Sequence, residues 1–194
     1  MRPRPRLRAI MIPMLLLLLA PRPGFAQDAE AAWAALRQGG HVALVRHATA
    51  PGTGDPPSFR LDDCATQRNL SPAGRAQAQA IGANLRWHGI RIDGVYSSQW
   101  CRCLETARLM GLGEVIALPA LNSFFTEPDR EDPQMAELRV WLADQPQTGA
   151  IVLVTHQVVI TALTGIMPAS GEIVVVRDTR GGGLQLVGRI PAPD

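Results

Sequence analysis

Residues 41–47 of the chain read HVALVRH, and residues 150–156 read AIVLVTH. Each stretch is a short apolar run bounded by turn-forming residues, a pattern that predicts a buried parallel strand. His47 and His156 are the last residues of these two runs. Because ligands of open α/β sheets bind beyond the carboxyl ends of parallel strands, we expect the two imidazoles to converge on one catalytic site.

The sequence around these two runs alternates between helical and extended patterns. Helices are predicted over residues 28–38, 71–89, 100–110, 134–144 and 158–163, and further strands over 94–98, 114–118, 173–178 and 184–190. Ser71 is the expected N-cap of the second helix, whose inward-facing residues are predicted to be Ala73, Ala76, Ala80, Ile81 and Leu85. The segments 55–69 and 122–133 are expected to be loops. This order predicts an α/β fold, with a layered, mostly parallel sheet and helices on both faces.

The first 26 residues have the pattern of a secretory signal peptide. Four arginines within residues 2–8 precede an apolar segment over residues 9–20, and residues 24–26 form a possible cleavage site. An uncleaved membrane anchor is the alternative, but this segment has only 12 residues and contains Pro13, whereas a span needs roughly 20. We therefore predict a periplasmic or secreted protein with no stable membrane insertion, in which residues 27–194 form a single catalytic domain.

The charge of the precursor differs from that of the predicted mature chain. Residues 1–26 hold five of the 19 arginines and none of the 17 acidic residues, so their removal changes the formal charge from +2 to −3. A nucleic-acid partner is not expected, because such proteins carry clustered positive charge. The chain contains no lysine, so the presence of arginine at a given position is by itself a weak functional signal.

Three cysteines are expected to enter an oxidising compartment, where one disulfide and one free thiol is the simplest arrangement. A bridge between Cys64 and Cys101 would tie the loop after the first strand to the segment that carries Arg102. Cys103 is nearly as good a partner for Cys64. A zinc site is not predicted, because the usual spacing of paired zinc ligands is missing from the sequence.

Three stretches of the sequence resemble, in order and spacing, the active-site blocks of the histidine phosphatase superfamily. They are LVRHATAPG at residues 44–52, SSQWCRCLETA at 97–107 and LVTHQ at 153–157. The stretch NLSPAG at 69–74 is similar to that family's link between the first loop and the first helix. The resemblance is to the small branch of the superfamily and implies a phosphoglycerate mutase-like fold.

The resemblance also implies roles for individual residues. His47 would be the nucleophile, attacking phosphorus and forming a phosphohistidine intermediate. Arg46 and Arg102 would bind the phosphate oxygens through their planar guanidinium groups. His156 would stabilise the charge that develops in the transition state. This scheme uses no metal and no other cofactor, and its expected partner is a small phosphorylated molecule.

The general acid that would protonate the leaving alcohol is the least defined member of the site. Many members of the superfamily carry a glutamate two residues after a leucine that follows the third strand, but Leu121 is followed here by Asn122 and Ser123. The next loop contains four carboxylates. Glu127 is the first candidate because it lies closest in sequence after Phe124 and Phe125. The alternative is that Glu127 belongs to a solvated acidic loop.

These features predict a metal-independent phosphomonoesterase that acts on a periplasmic phosphorylated sugar or a related envelope metabolite. The chain also resembles exported phosphatases that act on lipopolysaccharide heptose phosphates, which makes such a substrate worth testing. One alternative is an exported anion-binding protein whose phosphatase site is degenerate. Another is a phosphatase for phosphoanhydrides, whose leaving group needs no strong acid catalyst, or for phosphohistidine, which the predicted export disfavours.

Overall fold

The computed structural model describes residues 25–145, 148–179 and 183–193 of the chain. The predicted signal peptide lies outside the described residues except for Phe25 and Ala26, with which the first helix begins. The helices are α1 (Phe25–Gln38), α2 (Pro72–Trp87), α3 (Cys101–Met110), α4 (Glu131–Ala143) and α5 (Gln157–Thr164). The strands are β1 (His41–Arg46), β2 (Ile92–Ser97), β3 (Val115–Ala117), β4 (Ala150–Thr155), β5 (Ile173–Asp178) and β6 (Leu184–Ile190).

The strands form one mixed sheet of six, in the order β3-β2-β4-β1-β5-β6. The first four in this order run parallel, whereas β5 is antiparallel to β1 and β6 is antiparallel to β5. Arg46 at the end of β1 is paired with Thr155 at the end of β4. This register brings His47 and His156, which follow the two strands, to the same edge of the sheet.

Side chains that alternate along the central strands build a core on each face of the sheet. On β1, Ala43 and Val45 contribute to the core beneath α1, α2 and α3, whereas Val42 and Leu44 contribute to the core beneath α4 and α5. All six residues of β4 are buried, as expected of a strand covered on both faces. The predicted α/β fold, with helices on both faces of a mostly parallel sheet, is confirmed. No helix within the described ranges combines the length and apolarity needed to cross a bilayer.

Helix α2 begins as predicted and buries part of the predicted face. Ser71 is its N-cap and accepts a hydrogen bond from the Gly74 amide at 2.9 Å. The prediction that Ile81 and Leu85 face inward is confirmed, whereas the prediction for Ala73, Ala76 and Ala80 was wrong, because none of these three is buried. The other buried residues of the helix are Gly74, Ala78 and Gly82.

The glycines explain why α2 turns this face inward. A Cβ atom at Gly82 would lie 1.8 Å from the Met110 carbonyl oxygen, and one at Gly74 would lie 2.1 Å from the Thr49 carbonyl oxygen. The helix therefore meets its neighbours backbone to backbone, and a side chain at either glycine would hold it away.

Helix α4 begins at Glu131, three residues before the predicted start at Gln134. The prediction placed Pro133 in a loop, but proline is tolerated in the first turn of a helix because the amide it lacks has no partner there. Glu131 and Asp132 also lie in that first turn, where negative charge is favoured.

Candidate active site

A cavity of about 500 Å³ lies at the edge of the sheet where β1 and β4 end. The structure brings together all five residues for which the sequence predicted a catalytic or phosphate-binding role. They line this one cavity: Arg46, His47, Arg102, Glu127 and His156.

His47 is buried and uncharged at neutral pH. Burial, followed by the nearby Arg102 charge, lowers its pKa from 6.5 to about 3. Its Nδ1 lies 2.8 Å from the Ala48 carbonyl oxygen, which can only accept a hydrogen bond. The proton is therefore on Nδ1, which leaves a lone pair on Nε2, and an imidazole in this form is ready to act as a nucleophile.

His156 is also buried, and its ring centroid lies 5.6 Å from that of His47. Burial and the nearby His47 lower its pKa well below the usual value. Its Nδ1 lies 3.4 Å from Nη2 of Arg102, which can only donate, so the remaining proton is on Nε2. Nε2 then donates to Ser98 Oγ at 2.8 Å, and Ser98 in turn donates to Asn122 Oδ1 at 3.2 Å.

Three arginines surround the two imidazoles: Arg46, Arg68 and Arg102. Burial and the charge of Arg102 lower the pKa values of Arg46 and Arg68. Arg46 donates to the Pro168 carbonyl at 2.8 Å, and Arg68 donates to the Gly54 carbonyl at 2.8 Å. These bonds to carbonyl oxygens fix the guanidinium groups without neutralising them.

Asp55 is the carboxylate that holds Arg102 in place. Its Oδ1 accepts hydrogen bonds from Arg102 Nη1 at 2.8 Å and from the Arg68 amide at 3.0 Å, and its Oδ2 accepts from Trp100 Nε1 at 3.0 Å. Burial alone would raise the pKa of Asp55, but the hydrogen bond from Arg102 and the other donors lower it on balance. Asp55 is therefore ionised and acts as a fixed counter-ion.

The cavity remains short of negative charge. Among the described residues, the carboxylates that line it are Asp55 and Glu127, against three arginines. The buried Nε atoms of Arg46 and Arg102 also have no hydrogen-bond partner in the described part of the chain. Asp55 offsets one of the three arginine charges and Glu127 lies at the exposed rim, so two positive charges remain inside the cavity, which a dianion such as a phosphate group would balance.

Glu127 lies at the rim of the cavity, and its side chain is 62% exposed. Its carboxylate is 3.6 Å from Arg130. It lacks the buried, apolar surroundings that carboxylic acid catalysts usually have. The other acidic residues of the same segment, Asp129, Glu131 and Asp132, are not among the residues that line the cavity.

Sequence reasoning missed several residues of the site: Asp55, Arg68, Ser98, Trp100 and Asn122. Asp55 and Arg68 belong to the segment 55–69, whose length suggested a function but gave no hint of which side chains turn inward. Ser98 and Trp100 lie within the block at 97–107 that the family resemblance had already marked.

A disulfide joins Cys64 to Cys101, the first residue of α3, with the Cα atoms 5.7 Å apart. This is the pairing that the sequence favoured, and it places the bridge next to Arg102. Cys103 is free and buried, and burial raises the pKa of its thiol to about 12. The loop that carries Asp55 is thus tied covalently to the helix that carries Arg102.

Comparisons with known proteins bear on the family and the fold of the chain. Residues 37–125 match the family model of the histidine phosphatase superfamily (branch 1). No curated protein matches the chain in sequence.

Solved structures of several phosphatases share the fold. The protein histidine phosphatase SixA complexed with tungstate is 16% identical, with a TM-score of 0.58 over 78% of this chain and 96% of that one. A putative alpha-ribazole-5'-P phosphatase from Escherichia coli is 19% identical, with a TM-score of 0.58 over 79% of this chain and 98% of that one. The phosphoserine phosphatase of Entamoeba histolytica with phosphoserine is 18% identical, with a TM-score of 0.55 over 77% of this chain and 95% of that one. At such low identities the likeness is one of fold, and it confirms the phosphoglycerate mutase-like architecture expected from the sequence.

Proposed function

We propose that this chain, whose residues 37–125 match the family model of the histidine phosphatase superfamily (branch 1), is a metal-independent phosphomonoesterase of that superfamily that works through a phosphohistidine on His47. One observation carries the proposal. His47 is an uncharged imidazole, its Nδ1–H is fixed on the Ala48 carbonyl, and it lies in a cavity lined by three arginines. That is a nucleophile held beside a phosphate-binding site.

The reaction divides into two displacements at phosphorus. In the first, the lone pair of His47 Nε2 forms a bond to phosphorus while the bond to the ester oxygen breaks, and the leaving alcohol takes up a proton. In the second, water attacks the phosphohistidine, the P–N bond breaks, and inorganic phosphate is released. Arg46 and Arg102 bind the equatorial oxygens in both steps and offset the charge that develops there.

His156 assists by contributing a proton at the phosphate. In the structure its Nδ1 accepts from Arg102. A bound dianion favours protonation of this nitrogen, since the negative charge offsets the surrounding cations. The resulting Nδ1–H donates to a phosphate oxygen, while Nε2–H stays on Ser98.

Glu127 is the candidate proton donor for the leaving group, because it lines the cavity and belongs to the loop in which the sequence placed the acid. Its exposure makes it a weak acid catalyst. Substrates whose leaving groups are stable without protonation should therefore react best.

We place the substrate among phosphorylated metabolites of the periplasm, as the predicted export suggests; a phosphorylated sugar is the class that the sequence favours. Export is tested by the mass of the protein recovered from the periplasm of the native host. Cleavage after Ala26 gives a mature chain that begins at Gln27 and lacks the first two residues of α1. A full-length chain retained in the membrane fraction would refute cleavage, and a full-length chain found in the cytosol would refute export.

The test of the activity is phosphate release from phenyl phosphate by the purified protein, with and without a chelator, beside His47→Ala. We expect release that survives the chelator and disappears in the variant. After a rapid acid-free quench, label from ³²P-phenyl phosphate should be found on the parent and not on His47→Ala. Release that persists in the variant, or that the chelator abolishes, would refute the proposal.

The exposure of Glu127 supports two other functions. A phosphohistidine phosphatase would act on a P–N bond, whose cleavage needs little acid assistance, and would hydrolyse phosphoramidate-type substrates far faster than alkyl phosphates. An anion-binding protein would be stabilised by phosphate or tungstate without any turnover. The same phosphate-release assay, run beside thermal unfolding with these anions, separates the three functions.

A further inference from the structure

One wall of the active-site cavity is aromatic, and the phosphomonoesterase mechanism makes no use of it. The aromatic wall is formed by Phe59, Trp100 and Phe125, all of which line the cavity. Phe59 and Trp100 are stacked, with ring centroids 5.0 Å apart and planes 20° apart. Phe59 follows Pro56 and Pro57, which line the same side.

The aromatic wall begins beside His156. The ring of Trp100 lies 5.3 Å from that of His156 in an edge-on arrangement, and its indole N–H is fixed on Asp55 at 3.0 Å. A phosphate bound between the arginines and the two imidazoles therefore lies close to Trp100. A ring bonded directly to the ester oxygen is a group that can contact this wall.

Phe125 is the most exposed of the three rings that line the cavity. It is 59% exposed, whereas the preceding Phe124 is 4% exposed and belongs to the core. More than half of Phe125 is therefore open to water. A planar apolar group in the cavity would remove part of it from water, which is favourable.

The carboxyl groups that line the cavity favour a substrate whose leaving group needs little protonation. Asp55 accepts three hydrogen bonds and is held ionised by Arg102, so it has no proton to give. Glu127 is exposed at the rim. An aryl oxide leaves with little assistance, since a phenol such as that of tyrosine has a pKa of about 10, far below that of an alkyl alcohol.

We infer that the substrate is an aryl phosphate, in which the phosphate is esterified to an aromatic hydroxyl and the ring stacks on the wall of Phe59, Trp100 and Phe125. This inference rests on the proposed phosphomonoesterase function and narrows its substrate class. Within the periplasmic metabolites considered above, it selects compounds with a phenolic phosphate over polyhydroxylated sugars.

The experiment compares three substrates. Phenyl phosphate has a ring and a good leaving group, benzyl phosphate has a ring and an alkyl leaving group, and glucose 6-phosphate has a polar alkyl leaving group. We expect kcat/KM to fall in that order. Benzyl phosphate and glucose 6-phosphate have similar leaving-group oxygens, so the difference between them reports on the wall rather than on intrinsic reactivity.

Variants of the aromatic wall are compared with the parent on the same substrate, so differences in the intrinsic reactivity of the leaving groups cancel. Phe59→Ala and Phe125→Ala should each lower kcat/KM for phenyl and benzyl phosphate by about three- to tenfold, the effect of one aromatic contact. The loss of kcat/KM for glucose 6-phosphate should be smaller than the loss for either aromatic substrate. Trp87→Ala is the control, because Trp87 is 82% exposed on α2 and does not line the cavity.

The outcomes separate the two proposals. If glucose 6-phosphate reacts as well as benzyl phosphate, or if the wall variants slow all three substrates equally, the aryl phosphate inference is wrong while the phosphomonoesterase proposal stands. If no substrate releases phosphate in a His47-dependent way, the phosphomonoesterase proposal itself fails.

Discussion

His47 and His156 are both buried in uncharged form, and this affects stability as well as catalysis. Unfolding returns each imidazole to water, where its pKa is about 6.5. The folded protein holds His47 at a pKa of about 3 and His156 well below the ordinary value. Between these values the unfolded chain binds more protons than the folded one, so stability rises with pH in this window and falls as the pH drops below about 6.5.

We therefore predict that the free energy of unfolding decreases from pH 7 to pH 5, with roughly 2 kcal/mol of the loss due to His47. Urea unfolding at a series of pH values measures it. His47→Asn should have a shallower dependence on pH over the same range. Equal slopes for parent and variant would show that His47 titrates normally in the folded protein.

Asp55 holds Arg102 in place and also reduces the positive charge of the phosphate-binding site. Its carboxylate neutralises part of Arg102, and the two side chains are 16% and 4% exposed. Asp55→Ala should cost about 3 kcal/mol of stability, because it leaves a buried guanidinium without its partner.

The same variant should bind inorganic phosphate more tightly than the parent, since the ligand then meets an uncompensated positive charge. Thermal unfolding with increasing phosphate measures both effects, and the rise in Tm should be larger for Asp55→Ala. An equal rise in parent and variant would mean that Asp55 does not influence the anion site.

The role of Glu127 can be tested with substrates that differ in their leaving group. If its carboxyl donates the proton, Glu127→Gln should lower kcat/KM for benzyl phosphate by roughly a hundredfold and leave that for phenyl phosphate within about twofold. Glu131→Gln is the matched control, because Glu131 lies outside the cavity lining. Equal rates of parent and Glu127→Gln on both substrates would remove Glu127 from the mechanism.

At the level of elements, variants at the two glycines of α2 should both lower stability but differ in their effect on activity. Gly82 meets the carbonyl of Met110 at the far end of α3, whereas Gly74 meets the carbonyl of Thr49, two residues after His47. Gly74→Ala and Gly82→Ala should each cost about 1–3 kcal/mol through overpacking.

Only Gly74→Ala should also lower kcat/KM, because it displaces the loop that follows the nucleophile. Ala83→Gly at an exposed position of the same helix should cost about 1 kcal/mol through helix propensity alone. Urea unfolding and phosphate release measure the two quantities, and a fully active Gly74→Ala would contradict the prediction.

The same elements show what the sequence could and could not predict. Strands β5 and β6 match their predicted bounds, and β1 and β4 end beside the histidines as predicted, because apolar runs report burial directly. Ile81 and Leu85 of α2 were predicted to face inward and do so, but the N-terminal part of its buried face could not be predicted, because it is set by backbone contact at Gly74. Hydrophobic periodicity does not register such contacts.

The residues of the candidate site also fall into those that the sequence could predict and those that it could not. Arg46, His47, Arg102 and His156 could be named because they stand in short blocks at strand ends and at the start of α3. Asp55 and Arg68 could not, since the loop that carries them has no periodicity. Its course depends on long-range contacts such as the bond between Asp55 and Arg102.

At the scale of the whole molecule, the disulfide contributes to stability through the chain that it encloses. Cys64 and Cys101 are 37 residues apart, and closing a loop of that length stabilises the folded state by roughly 4 kcal/mol in the chain-entropy account. The double variant Cys64→Ser/Cys101→Ser should unfold at a correspondingly lower urea concentration.

Reductant provides the internal control for that prediction. It should shift the midpoint of the parent towards that of the double variant and leave the variant itself unchanged. A parent whose midpoint is insensitive to reductant would show that the bridge adds nothing to stability.

The bridge also determines what happens to a damaged chain. The exposed turn between α2 and β2, around Gly89, is a natural place for a protease to cut. Arg68 would then belong to one fragment and Arg102 to the other, yet Cys64 and Cys101 would still join them. On a denaturing gel the cut protein would migrate as a single band until reductant is added. One backbone break in that turn would therefore leave the fragment that carries Arg68 covalently joined to the fragment that carries Arg102.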